Sequence, residues 1–107
     1  MIDHQTAVIS ANAATDNEVV AAVTGKRIVV LGYQIANGAG SAQAVTWKSG
    51  STARTGAMSL PSSVGGALTA PVCSHNRAWL ATDPGSALNL TLSGATAVGG
   101  VVVYKLA

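Results

Sequence analysis

The side chains able to do chemistry are few and far apart. The chain carries four acids, six bases, two histidines and one cysteine in 107 residues. Nucleophilic catalysis would need Cys73 or Ser74 beside His75, with Asp83 orienting the ring. No Gly-x-Ser-x-Gly elbow surrounds them, and the segment has loop composition. A zinc site needs several ligands at short spacing, and the nearest approaches, Cys73 with His75 and Asp3 with His4, supply two each. Glycoside hydrolysis needs two carboxylates facing one cleft. The acids here are Asp3, Asp16, Glu18 and Asp83, of which Asp16 reads as a turn residue and Asp83 opens the turn Asp83-Pro84-Gly85. Gly38-Ala39-Gly40 starts like a dinucleotide fingerprint, but Gln43 stands at the third glycine position and a strand follows instead of a helix. The expectation is a protein that is not an enzyme and holds no cofactor and no metal.

Composition narrows the class further. Charged residues make up 9% of the chain, against about a quarter in ordinary soluble domains, so Ser, Thr, Asn and Gln must supply most of the polar surface. A surface this neutral suits a protein packed against copies or partners. The formal charge of +2 comes from Lys26, Arg27, Lys48, Arg54, Arg77 and Lys105. Apart from Lys26-Arg27 they are dispersed, which does not make the clustered footprint of a nucleic-acid binder. The longest apolar run, Ile28-Val29-Val30-Leu31, is cut by Gly32, far short of the roughly 20 residues of a membrane helix. Cys73 alone cannot form an internal disulfide and reads as a small, partly buried hydrophobe. The first residues lack the basic start and apolar stretch of a signal peptide, so the Asn89-Leu90-Thr91 acceptor sequence reads as chance.

The apolar share is 49%, with no Phe, so the core must be built from small, mostly β-branched side chains around Trp47, Trp79, Tyr33 and Tyr104. Leu88, Leu90 and Leu92 alternate with Asn89, Thr91 and Ser93, and Val45 and Trp47 alternate with Thr46 and Lys48, the pattern of half-buried strands. Lys26 to Ile35 is apolar on both faces, with Ile28 and Val30 on one and Val29, Leu31, Tyr33 and Ile35 on the other. Val98 to Leu106 is similar, and its Gly99-Gly100 step marks a bulge or a close backbone approach. Weaker strands are expected at Asn17 to Thr24, Thr52 to Met58, Ala67 to Val72 and Arg77 to Thr82, with loops at Asn37 to Ser41, Pro61 to Gly66 and Ser74 to Asn76. Both tryptophans sit among apolar neighbours and are expected in the core. The whole predicts an all-β chain: a single antiparallel β-sandwich or jelly-roll-like domain of seven to nine short strands over residues 17–107, preceded by an extended N-terminal arm or edge strand over residues 1–16.

One further pattern carries a functional expectation. The order Gly25-Lys26-Arg27-Ile28-Val29-Val30-Leu31-Gly32-Tyr33, Val45-Thr46-Trp47-Lys48-Ser49-Gly50, Thr55-Gly56-Ala57-Met58, Trp79-Leu80-Ala81-Thr82, Ala87-Leu88-Asn89-Leu90-Thr91-Leu92-Ser93 and Val98-Gly99-Gly100-Val101-Val102-Val103-Tyr104 resembles small virion proteins of tailed bacteriophages, above all the capsid decoration, or cement, proteins. The resemblance implies a structural virion protein on the capsid surface, made in the bacterial host cytoplasm. Its partners would be the major capsid protein and further copies of itself, as a trimer in preference to a dimer, with no nucleic acid and no membrane. The arm would order on docking, and the contact residues are expected to be Ile2, Val8, Ile9 and Asn12 on the arm with Asn37, Arg54, His75 and Arg77 on the turns. The competing expectation is a tail or fibre module binding a host receptor or glycan through the loops Asn37 to Ser41 and Ser74 to Arg77.

Overall fold

Alternating apolar and polar residues form a strand when one face can be buried, and the two plainest such runs lie side by side at the centre of one sheet. The computed structural model describes residues 4–37, 42–60, 67–70, 79–94 and 97–107. Among them the strands are β1 (His4–Ala11), β2 (Asp16–Val20), β3 (Ile28–Asn37), β4 (Gln43–Ser49), β5 (Thr52–Ala53), β6 (Met58–Leu60), β7 (Ala67–Ala70), β8 (Leu80–Ala81), β9 (Leu88–Leu92) and β10 (Val98–Leu106). They make two antiparallel sheets, and the fold is all-β. The first has the order β1-β10-β3-β7 with β8 also on β3, and the second the order β2-β9-β4-β5 with β6 also on β4.

The inward faces of both sheets meet in one hydrophobic core. β4 buries Gln43, Val45, Trp47 and Ser49, and β9 buries Leu88, Leu90 and Leu92, so the expected alternation holds in both. Opposite them lie Ile9 and Ala11 of β1, Ile28, Val30 and Ile35 of β3, and Val98, Val102 and Tyr104 of β10. Each fully buried Val, Leu or Ile contributes about 1.5–3 kcal/mol. Tyr33 and Trp47 reach across the gap with ring centroids 5.3 Å apart, tilted by 57°.

β3 departs from the simple two-face pattern. Val103 pairs with Gly32 but Tyr104 pairs with Val30, leaving Leu31 as an extra residue in a β-bulge. The bulge switches the inward set from Ile28 and Val30 to Tyr33, Ile35 and Asn37, so Ile35 joins Ile28 in the core instead of facing away from it. A second bulge at Val19 gives β2 its inward Val20. β2 ends at Val20, short of the expected Thr24, because the chain turns at Gly25, whose φ of 74° favours glycine. The expected strand from Thr52 to Met58 divides into β5 and β6, both paired with β4. Of the expected strand Arg77 to Thr82, Leu80–Ala81 form a strand and Trp79 and Thr82 flank it, while Arg77, Ala78 and the loops at Pro61 to Gly66 and Ser74 to Asn76 lie outside the described residues. Of the two forms expected for the first sixteen residues, His4–Ala11 take that of an edge strand, paired without interruption to β10.

Buried polar groups fasten the ends of the sheets. Thr82 is fully buried, its hydroxyl accepts a hydrogen bond from the Ile28 N–H at 2.9 Å, and its own N–H donates to the Ile28 carbonyl at 2.9 Å. Asn17 donates to the carbonyls of Ala13, Thr15 and Leu90 and so pins the crossing from the first sheet to the second.

The Gly99-Gly100 step is a close backbone approach, and the bulge of this pairing lies at Leu31. A Cβ on Gly100 would stand 1.9 Å from the Gln34 carbonyl oxygen and 2.9 Å from Ile35 Cα, whereas one on Gly99 would meet the Ile9 carbonyl oxygen at an ordinary 3.8 Å. Gly100→Ala is therefore expected to cost about 2 kcal/mol or more of unfolding free energy, and Gly99→Ala less than about 1 kcal/mol. Urea unfolding of the pair checks this, and equal costs would contradict the close approach.

Candidate functional site

The two sheets turn very different faces outward. On the second sheet the outward residues are Asp16 and Glu18 of β2, Asn89 and Thr91 of β9, and Thr46 and Lys48 of β4. The Asp16 carboxylate there accepts hydrogen bonds from the Thr91 hydroxyl and from the Lys48 ammonium, the latter at 3.2 Å. The Thr91 bond, reinforced by Lys48, holds the Asp16 carboxyl below its ordinary value against a small opposing desolvation. Asn89 donates to the Gly50 carbonyl at 2.8 Å, so its amide serves the turn between β4 and β5.

On the first sheet the outward residues of the paired strands are Thr6, Val8 and Ser10 of β1, Val101 and Val103 of β10, and Gln34 and Ala36 of β3. None is charged. Val8 is 78% exposed and its cross-strand partner Val101 39%. Isolated surface valines are ordinary, but two paired across strands on a sheet face whose charge is confined to Lys105 at its far end make a patch. Among the described residues β1 has a strand on one side only, so this face runs to an open edge.

The residues expected to meet a partner are scattered over this frame. Val8 lies at the centre of the apolar face, and Asn12 is exposed just beyond β1. Ile9, its side chain opposed to that of Val8 by the pleat, is 1% exposed and belongs to the core, so it offers nothing to a partner in this fold. Asn37 is 3% exposed and donates to the Leu60 carbonyl at 3.4 Å, tying β3 of one sheet to β6 of the other. It is a structural residue, withdrawn from the surface by that bond. Arg54 is at the surface with its guanidinium 2.7 Å from the Asp83 carboxylate. Ile2, His75 and Arg77 lie outside the described residues, as do Cys73, Ser74 and Gly38 to Gly40. Trp47 is in the core as expected, but Trp79 is 52% exposed. With only Leu80 and Ala81 in β8, it is Leu80 that packs against the core, and the preceding residue is left outside.

Sequence reasoning missed the polar groups of the interior. Among the described residues, neither amide atom of the buried Gln43 on β4 has a hydrogen-bond partner, and neither does the Trp47 indole N–H. Tyr33, close by, has its hydroxyl pushed up chiefly by burial. Only the position of Gln43 in phase with Val45 and Trp47 signalled an inward amide. The described residues bring together no group of three metal-ligating side chains. No family model, no curated protein and no solved structure matches this chain.

Gln43→Leu removes an amide that is desolvated without compensation and should raise the unfolding free energy by about 1 kcal/mol in urea titration; a loss of that size would mean the amide is satisfied. Asp16, with its folded value below the ordinary 3.8, contributes stability that is full above that value and is lost as pH falls through the lower folded-state value. The melting temperature of Asp16→Asn should therefore fall below that of the natural chain at neutral pH and converge with it in acid, whereas a gap independent of pH would refute the pairing.

Proposed function

We propose that this chain is a structural virion protein that binds the outside of a phage capsid and stabilises the head by bridging major capsid subunits. The observation that carries the reading is strand order. With the short β5 and β8 set aside, the sheets read β1-β10-β3-β7 and β2-β9-β4-β6. First pairs with last, second with next to last, and the chain passes back and forth between two packed sheets. That order supports a jelly-roll sandwich, an architecture used by viral capsid and lectin domains. The outer face of the first sheet, charged only at Lys105, the dispersed charge of +2 and the resemblance of residues 25–106 to small virion proteins support the same reading.

In this reading the protein works by adding contacts. Many weak docking events become strong together when one assembly engages several capsid sites at once. The chain acts as a homo-oligomer on the capsid surface and needs neither cofactor nor metal. The second reading, a tail or fibre module that binds a receptor or glycan, is favoured by one observation, the exposure of Trp79 at the surface. An exposed indole is a platform for a sugar ring.

The test is to mix the purified chain with phage heads assembled without it. Saturable binding at a fixed ratio to the major capsid protein, with DNA release shifted to higher temperature, is expected. Failure to bind heads, together with binding to host cells or immobilised glycans that Trp79→Ala abolishes, would overturn the capsid reading in favour of the second.

A further inference from the structure

The outward face of the first sheet poses a physical problem of its own, independent of what the protein docks on. Val8 is 78% exposed and Val101 39%, and Val103 stands partly exposed on the same side of β10. Around them the side chains are Thr6, Gln34 and Ala36, all short or neutral, and the face carries no charge until Lys105 at its far end.

The strand that borders this face is equally bare. Natural edge strands protect themselves from pairing and packing with charged residues, prolines, bulges or a cover. Between Gln5 and Ala11 β1 has no charged residue and no proline, and its register with β10 runs without a bulge. Among the described residues no strand covers it. The second sheet shows the contrast, with Asp16, Glu18 and Lys48 spread over its outward face. The apolar face and the undefended edge therefore coincide at one place, Val8.

We propose that this face is a self-association surface, and that its occupant is a second copy of the same chain. Charge decides the occupant. A nucleic acid, an anionic membrane or an acidic peptide finds a single cation, Lys105 at the far end, and a basic peptide finds no acid on the face, whereas its neutral centre of valine, alanine and threonine fits another of its own kind without bringing like charges together. A two-fold axis near Val8 and Val101 stacks the valines of the two copies. It also carries the two Lys105 side chains to opposite ends, roughly 27 Å apart from four extended residues on each side of the axis.

The experiment is a mass measurement by sedimentation equilibrium over a range of concentrations on the full chain, on Val8→Lys, on Val101→Lys and on Thr46→Lys. Val8 and Val101 are exposed, so their variants keep the core, which circular dichroism and melting temperature verify. Thr46→Lys places the same charge on the outward face of the second sheet as a control. A mass of two or more chains is expected for the natural protein and for Thr46→Lys, with the dissociation constant raised at least about 30-fold by each valine substitution, as for an interface hot spot. A single-chain mass at every concentration overturns the proposal. So does an oligomer that withstands both valine substitutions, or one that Thr46→Lys disrupts. None of these outcomes depends on phage heads, so failure here and failure of the capsid reading are separately visible.

Discussion

Trp47 of β4 and Tyr33 of β3 meet across the space between the sheets, their ring centroids 5.3 Å apart, and the two layers are built around that contact. The remaining core is Val, Leu, Ile and Ala. With no Phe in the chain, nothing else on the β4 side has comparable volume, and small side chains fill the gap only where strands approach closely. Within the first sheet, the Gly100 backbone is pressed against Gln34 and Ile35 of the neighbouring β3. The bulge at Leu31 is another consequence. By switching the parity of β3 it lets Ile28 and Val30 at one end and Tyr33 and Ile35 at the other all face inward, so a strand of ten residues serves one core along its whole length.

With the apolar interior closed in this way, the polar residues divide unevenly. The second sheet keeps the charged outward groups, and the buried Thr82, Ser49 and Asn37 are used at strand ends, where unpaired backbone groups must find partners. The first sheet is left with an outward surface of valine, alanine, hydroxyl and Gln34 side chains, with Lys105 at one end. A chain with only 9% charged residues cannot solvate both faces with ions, and the uneven division leaves one outward face charged and the other nearly bare of charge.

These features differ in how far they could be read from residues alone. β4 and β9 were fully legible, because each has one buried and one solvated face and alternation records that directly. β3 was legible as a strand but not in its facing, since a run apolar on both sides carries no phase and the bulge at Leu31 depends on pairing with β10. Trp79 was misplaced because apolar neighbours do not show how short a strand is, and Asn37 because an Asn before Gly38 reads as a turn when its amide in fact spans the two sheets. Of the candidate surface, Val8 was visible in the sequence, while its partner Val101 became part of the same face only once β1 was laid beside β10 across some ninety residues of chain. Long-range register is set by closure of the whole sheet, and local pattern does not contain it.

If copies cover the outward face of the first sheet, any other partner must use what remains. That is the charged face of the second sheet and the turns, where Asp16 meets Lys48 and Arg54 meets Asp83. Contacts there would be polar and rim-like, weak one at a time and sensitive to salt, because exposed ion pairs contribute under about 1 kcal/mol each and are screened within roughly 10 Å. A surface of that kind gains useful affinity only by repetition, when several copies are held together and engage several sites in one event. Self-association through the first sheet would supply that repetition, which links the apolar face of the chain to the weakness of its polar one.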